Sequence, residues 1–91
     1  RHRNNFAIIV GNYGGSLMQS AQYDRAIAVF GRGAKRLENN PRLQWGLGMA
    51  YFAAGRYKEA LPPLRRAVEL DPIAQRLKDD LARAEKAAQT M

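Results

Sequence analysis

The sequence contains no cysteine and a single histidine, His2. Without thiols there can be no disulfide, no thiolate nucleophile and no cysteine-ligated zinc. A lone imidazole cannot build an ordinary histidine metal site or a nucleophilic triad. No apolar run approaches the roughly 18 to 20 residues of a membrane span, and the first residues lack the apolar core of a signal peptide. We therefore predict no catalytic residues, no metal, no cofactor and no small-molecule substrate.

Positive charge is the main compositional bias of the chain. Fifteen Lys and Arg residues against eight Asp and Glu give the 91 residues a formal net charge of +7. Such a surplus suits nucleic acid, anionic lipid or acidic protein partners where the charges cluster. The apolar share of 46% is ordinary for a globular protein, and the length suits one small domain. Because the chain begins with Arg, we expect it to be part of a longer protein, which leaves the cellular compartment open.

An internal repeat with a period of 34 residues organises the sequence. Shifting the chain by that offset places Gly14 on Gly48, and it places the large apolar residue Phe30 on Leu64. Within each unit, apolar residues recur at steps of three and four, which is the spacing of amphipathic helices. Each unit is therefore predicted to contain two helices.

Capping residues predict where the helices begin and end. Asn40-Pro41 and Asp71-Pro72 each offer a side-chain oxygen as N-cap, followed by a proline where no backbone N–H is needed. Gly55 can adopt a positive φ and end a helix. These signals predict five helices, near residues 6–21, 24–37, 41–54, 57–70 and 73–89.

The fourth and fifth predicted helices carry two further expectations. Pro62 and Pro63 lie inside the fourth helix and remove two backbone donors, so we expect a kink or a late start there. The fifth helix is strongly amphipathic, and its charged residues, Asp80 among them, are expected to face solvent. Such a helix suits a cap on the exposed end of a repeat stack.

The second unit resembles a tetratricopeptide repeat over Pro41 to Pro72, which reads PRLQWGLGMAYFAAGRYKEALPPLRRAVELDP. Residues of the family pattern stand at Leu47, Gly48, Tyr51, Gly55, Tyr57, Ala60, Leu64, Ala67 and Pro72. Gly48 and Ala60 are expected to let the paired helices approach closely. The first unit is a divergent copy, in which Ala21 replaces the turn glycine. We predict one domain over residues 1–91, with repeat one at 7–40, repeat two at 41–74 and a capping helix at 73–89.

The resemblance implies an all-α fold, a right-handed superhelical stack of antiparallel helix pairs with about five helices. In that family, the first helices of the pairs line a concave groove that holds a peptide or helix of another protein. The resemblance thus implies a non-catalytic scaffold or adaptor whose partner is another protein. The groove-facing positions carried onto this chain are Asn12, Met18, Gln19, Arg42, Trp45, Met49 and Phe52, together with Ile8, Gly11 and Gly15.

Two features of the expected groove bear on what it binds. The subgroup that clamps the carboxylate tail of heat-shock chaperones has Lys and Asn at defined groove positions, whereas this chain has glycines and Trp45 there, which argues against a carboxylate clamp. Trp45, Met49 and Phe52 share one helix face and could anchor an apolar partner segment. The same three residues could instead pack inside the module, and the sequence leaves both interpretations open.

Other surfaces offer alternatives to the groove. A basic convex face could bind nucleic acid or anionic membrane, although no aromatic residues for base stacking accompany it. Two repeats and a cap are few for an isolated stack, so the exposed end of the first helix could support self-association. The residues of the predicted basic face are Arg25, Arg32, Lys35, Arg36, Arg65 and Arg66.

Overall fold

A computed structural model describes the backbone of residues 3–90 and the side chains of residues 5–90. His2 lies outside these residues. Within them the chain forms five helices and no strand, which confirms the predicted all-α fold. The helices are α1 (Arg3–Gln19), α2 (Tyr23–Arg36), α3 (Pro41–Ala53), α4 (Tyr57–Leu70) and α5 (Gln75–Gln89). None of these described helices combines the length and apolarity that crossing a bilayer requires.

The start of α3 follows the predicted capping chemistry. The Asn40 side chain accepts a hydrogen bond from the Leu43 amide at 3.1 Å, and Pro41 occupies the first helical position. The corresponding prediction for α5 is wrong, because that helix begins at Gln75 after Ala74. Asp71 instead ends α4, where its backbone N–H donates to the Ala67 carbonyl. The Asp71 side chain does not cap α5, because the residues between Asp71 and Gln75 form a turn that separates the two helices.

The turns that follow α1 and α3 are built alike. Ala21 has a φ of 59° and Gly55 a φ of 80°, so both adopt the left-handed conformation that ends a helix. After α1, the Gln22 amide donates to the Leu17 carbonyl at 2.8 Å, and the equivalent bond 34 residues later measures 2.9 Å. This pairing of bonds supports the interpretation of Ala21 as the substitute for the turn glycine.

The two prolines of α4 do not delay the helix. It begins at Tyr57, as predicted, and runs through Pro62 and Pro63 to Leu70, so the expected late start is wrong. The carbonyl groups that lose a helical donor belong to Lys58 and Glu59, which are exposed. Water can therefore satisfy them, and this reduces the cost of a proline inside the first turns.

Glycines set the close contact inside each helix pair. A Cβ added to Gly48 would lie 2.5 Å from Leu64 Cγ and 3.3 Å from the Ala60 carbonyl oxygen. A Cβ added to Gly14 would lie 2.5 Å from the Phe30 ring. The predicted contact of Gly48 with Ala60 is thus confirmed, and the first pair repeats it with a larger residue in the place of Leu64.

The helix contacts define two sides of the stack. The first helices of successive pairs are neighbours, since α1 contacts α3 and α3 contacts α5. In contrast, no Cα pair of α2 and α4 lies within 8 Å in the described chain. Helices that meet on one side and diverge on the other give a curved stack, with α1, α3 and α5 on its concave side. The core has two clusters, one around Phe30 and Leu43 and one around Leu64 and Ala84.

Candidate binding groove

A groove with a volume of about 300 Å³ lies between α1 and α3 on the concave side. Its floor and walls are mostly apolar, and Arg42 is the only charged residue among those that line it. Open apolar grooves of this kind suit an inserted side chain or helix of a partner. The lining residues, called the groove from here on, are Gly11, Gly15, Met18, Phe30, Arg42, Leu43, Trp45, Gly46 and Met49.

Two glycines of the groove have no packing role within the described chain. A Cβ added to Gly11 or to Gly15 would meet nothing within 4 Å. By comparison, a Cβ added to Gly46 would clash with the Phe30 ring, so that glycine is required by internal packing. Each glycine inside a helix costs about 0.5–1 kcal/mol relative to alanine. Gly11 and Gly15 thus weaken α1 and leave its backbone accessible from the groove.

Trp45 belongs both to the groove and to the core. Its indole Nε1 donates a hydrogen bond to Asp80 Oδ2 on α5 at 2.7 Å. The half-buried ring also packs against the core cluster that contains Leu64 and Ala84. The guanidinium carbon of Arg76 lies 5.7 Å from the ring centroid, within the range of a cation–π contact. Trp45 therefore packs inside the module, as one of the two interpretations from the sequence expects, and it also lines the groove, so the expectation that it anchors a partner stays a prediction.

Asp80 is buried, contrary to the expectation that it faces solvent. Only 6% of the residue is exposed, and Arg83 Nη2 lies 3.6 Å from its other carboxylate oxygen, Oδ1. A buried carboxylate requires a donor and a counter-charge, and the indole N–H of Trp45 supplies the donor while the Arg83 guanidinium lies at ion-pair distance. The signal for this role was in the sequence, because Asp80 interrupts the apolar stripe between Leu77 and Ala84.

The predicted groove residues divide into two sets. Those that line the groove are Met18, Arg42, Trp45 and Met49, whereas Asn12, Gln19 and Phe52 do not. Asn12 and Gln19 are exposed on α1, and the Phe52 ring packs against Tyr57 with centroids 5.2 Å apart. Sequence reasoning missed Phe30, which reaches the groove from α2 because Gly14 and Gly46 leave space for its ring.

The predicted basic face includes three residues of α2 that gather around an aromatic ring. Arg32, Lys35 and Arg36 line a shallow surface depression together with Phe6. The Arg36 guanidinium carbon lies 4.9 Å from the centroid of that ring. Arg25 stands apart and donates to Gln22 Oε1 at 2.6 Å. Arg32, Lys35 and Arg36 are exposed, and none of them forms an ion pair with a carboxylate of residues 5–90.

The α4 residues of the basic face are engaged with carboxylates. Arg65 Nη2 lies 3.7 Å from Glu85 Oε2, and Arg66 Nη1 lies 3.2 Å from Glu69 Oε1. Arg66 also donates to Asn39 Oδ1 at 2.6 Å. Two of the six residues of the predicted basic face are therefore paired with carboxylates, and the role of that face in binding stays a prediction.

The fold defines an all-α helical repeat protein. The tetratricopeptide repeat family model matches residues 14–75, which is most of the chain. The chain belongs to this family. Tetratricopeptide repeats generally mediate protein–protein interaction and are typically non-catalytic. A comparison with curated proteins found no match.

Proposed function

We propose that this module is a non-catalytic scaffold or adaptor that holds a peptide or helix of another protein in the groove. The observation that carries the proposal is the pair Gly11 and Gly15, which face open space beside an apolar floor. Both lower the helix propensity of α1 without improving internal packing. A partner that packs closely against the α1 backbone accounts for them.

The side chains around these glycines suit an apolar ligand segment. Met18 and Met49 are flexible and polarisable, so they can adapt to side chains of different shape. Trp45 offers the large, rigid surface that dominates many protein interfaces. Its hydrogen bond to Asp80 fixes the indole before a partner arrives, and this reduces the ordering cost of binding.

The division of the chain into repeat one at 7–40, repeat two at 41–74 and a capping helix at 73–89 is part of this proposal. Each of the two repeats would contribute one groove-lining helix. The cap would contribute Asp80, which holds Trp45 in place. The module would therefore need all three parts for a complete groove.

Self-association through the end of the stack is proposed as a second interaction. Ile9 is 64% exposed and Tyr13 is 49% exposed, and helical spacing places them on a face of α1 that points away from the groove. Exposed apolar patches commonly mark interfaces. Sedimentation velocity over a range of concentrations tests this: the Tyr13→Glu variant should reduce any dimer, and a chain that is monomeric at all concentrations contradicts it.

The groove proposal is tested by selecting binders from a random peptide library displayed on phage. Peptides of about 20 residues span about 30 Å as a helix, which matches the 30 Å intermediate dimension of the module. Selected peptides should lose affinity for a Gly15→Leu variant, which fills the groove while adding a good helix former to α1. Ser16→Leu is the matched control, since Ser16 is the exposed neighbour outside the groove. Selected peptides that bind the Gly15→Leu variant with unchanged affinity would contradict the proposal.

A further inference from the structure

The charge around the groove is uneven. Helix α1 carries no charged residue from Asn5 to Gln19, so its wall of the groove is neutral. On the opposite side, exposed Arg42 lines the groove and exposed Arg76 lies against the Trp45 ring. A ligand in the groove would therefore have an apolar surface beneath it and cations along one edge.

The two arginines have no carboxylate partner among residues 5–90. The four ion pairs of that part of the chain engage Arg56, Arg65, Arg66 and Arg83. The buried carboxylate nearest to Trp45, that of Asp80, is already bonded to the indole and paired with Arg83. The exposed Asp79 accepts a hydrogen bond from Gln75. Arg42 and Arg76 are thus free of ion pairs within the described residues and can pair with groups of a ligand.

The repeat places these arginines at equivalent positions. Arg42 and Arg76 are separated by one period of 34 residues, and they lie in the first turns of α3 and α5. Both helices belong to the concave side of the stack. A segment that crosses this side would meet one cation on each helix, which is a pattern that regularly spaced carboxylates can match.

We infer that the groove takes an acidic segment of a partner protein, in which large apolar side chains are accompanied by Asp or Glu. The apolar side chains fill the space beside Gly11, Gly15 and Met49, and the carboxylates meet Arg42 and Arg76. Charge-assisted pairs of this kind select partners and speed association. The inference rests on the proposed function, and it adds the chemical character of the partner.

The test compares peptide selections on three proteins. The unchanged module is expected to enrich acidic peptides that contain Leu, Phe or Met. The double variant Arg42→Glu, Arg76→Glu should lose at least about tenfold in affinity for those peptides and should enrich neutral or basic ones instead. The control, Arg32→Glu with Lys35→Glu, changes the net charge equally on α2. It should keep the acidic preference and lose less than about threefold.

The possible outcomes distinguish a failure of the acidic-partner inference from a failure of the proposed groove function. Peptides that depend on Gly15 but show no acidic preference overturn the inference and leave the groove function standing. Acidic peptides weakened as much by the α2 control as by the groove variant also overturn it, because net charge alone would then explain them. Failure to enrich any peptide that depends on Gly15 overturns both.

Discussion

Replacing the groove glycines with alanine should strengthen the fold while weakening binding. In Gly11→Ala and Gly15→Ala, the new methyl group meets nothing within 4 Å of its Cβ, so neither change should introduce a clash. Each should raise the free energy of unfolding by about 0.5–1 kcal/mol, because alanine loses less backbone entropy in a helix. For a domain of this size, 1 kcal/mol corresponds to a rise in Tm of about 4–8 °C.

The same substitution elsewhere should have the opposite effect on stability. In Gly48→Ala, the methyl carbon would lie 2.5 Å from Leu64 Cγ, so the helices of the second pair must separate. Overpacking of this kind costs about 1–3 kcal/mol. Urea unfolding followed by far-UV circular dichroism measures all three variants on one scale, and peptide affinity is measured on the same samples.

The opposite signs make the comparison decisive. A stabilised Gly15→Ala variant with lower peptide affinity shows that the glycine is present for the ligand and not for the fold. A Gly11→Ala or Gly15→Ala variant less stable than the unchanged module would refute the reasoning, since it would mean that the α1 backbone at these positions packs against part of this chain.

Three other predictions concern the turn, the cap and the alternative surface. Ala21→Gly should raise the free energy of unfolding by about 1 kcal/mol in urea titrations, because it relieves a non-glycine residue of its positive φ. Asp80→Ala should lower it by about 1–3 kcal/mol and shift the emission of Trp45, the only tryptophan, whereas Asp80→Asn keeps an acceptor and should cost less. Peptide affinity in the groove should change less than about tenfold between 50 and 200 mM salt, while binding of nucleic acid through Arg32 and Lys35 should fall far more steeply.

The helices could be predicted because their signals are local and occur twice. Asn40 with Pro41 fixes the start of α3, and Gly55 marks its end, each through backbone chemistry that acts within a few residues. The start of α5 differs from the prediction because Asp71 ends α4 and the following residues form a turn before the helix begins at Gln75. A capping pattern alone does not show how many residues the chain needs between two helices.

The groove was harder to predict than the helices. Helical spacing placed Trp45 and Phe52 on one face, and both pack against the core cluster that contains Leu64, but only Trp45 also lines the groove, while the Phe52 ring lies against Tyr57. Phe30 reaches the groove from the other side of the stack, through space that a glycine on α3 provides. The direction of a long side chain depends on the residues it packs against, and these can lie far from it in the sequence.

The central claim, that a partner lies in the concave groove, is tested most directly by NMR of the 10.2 kDa chain with a selected peptide. In ¹H–¹⁵N spectra, the glycine amides and the single indole N–H are readily distinguished. If a partner lies in the groove, the largest shifts on peptide addition occur at the amides of Gly11 and Gly15 and at the Trp45 indole. Shifts concentrated on Arg32 and Lys35 of α2, with these three signals unmoved, would contradict it.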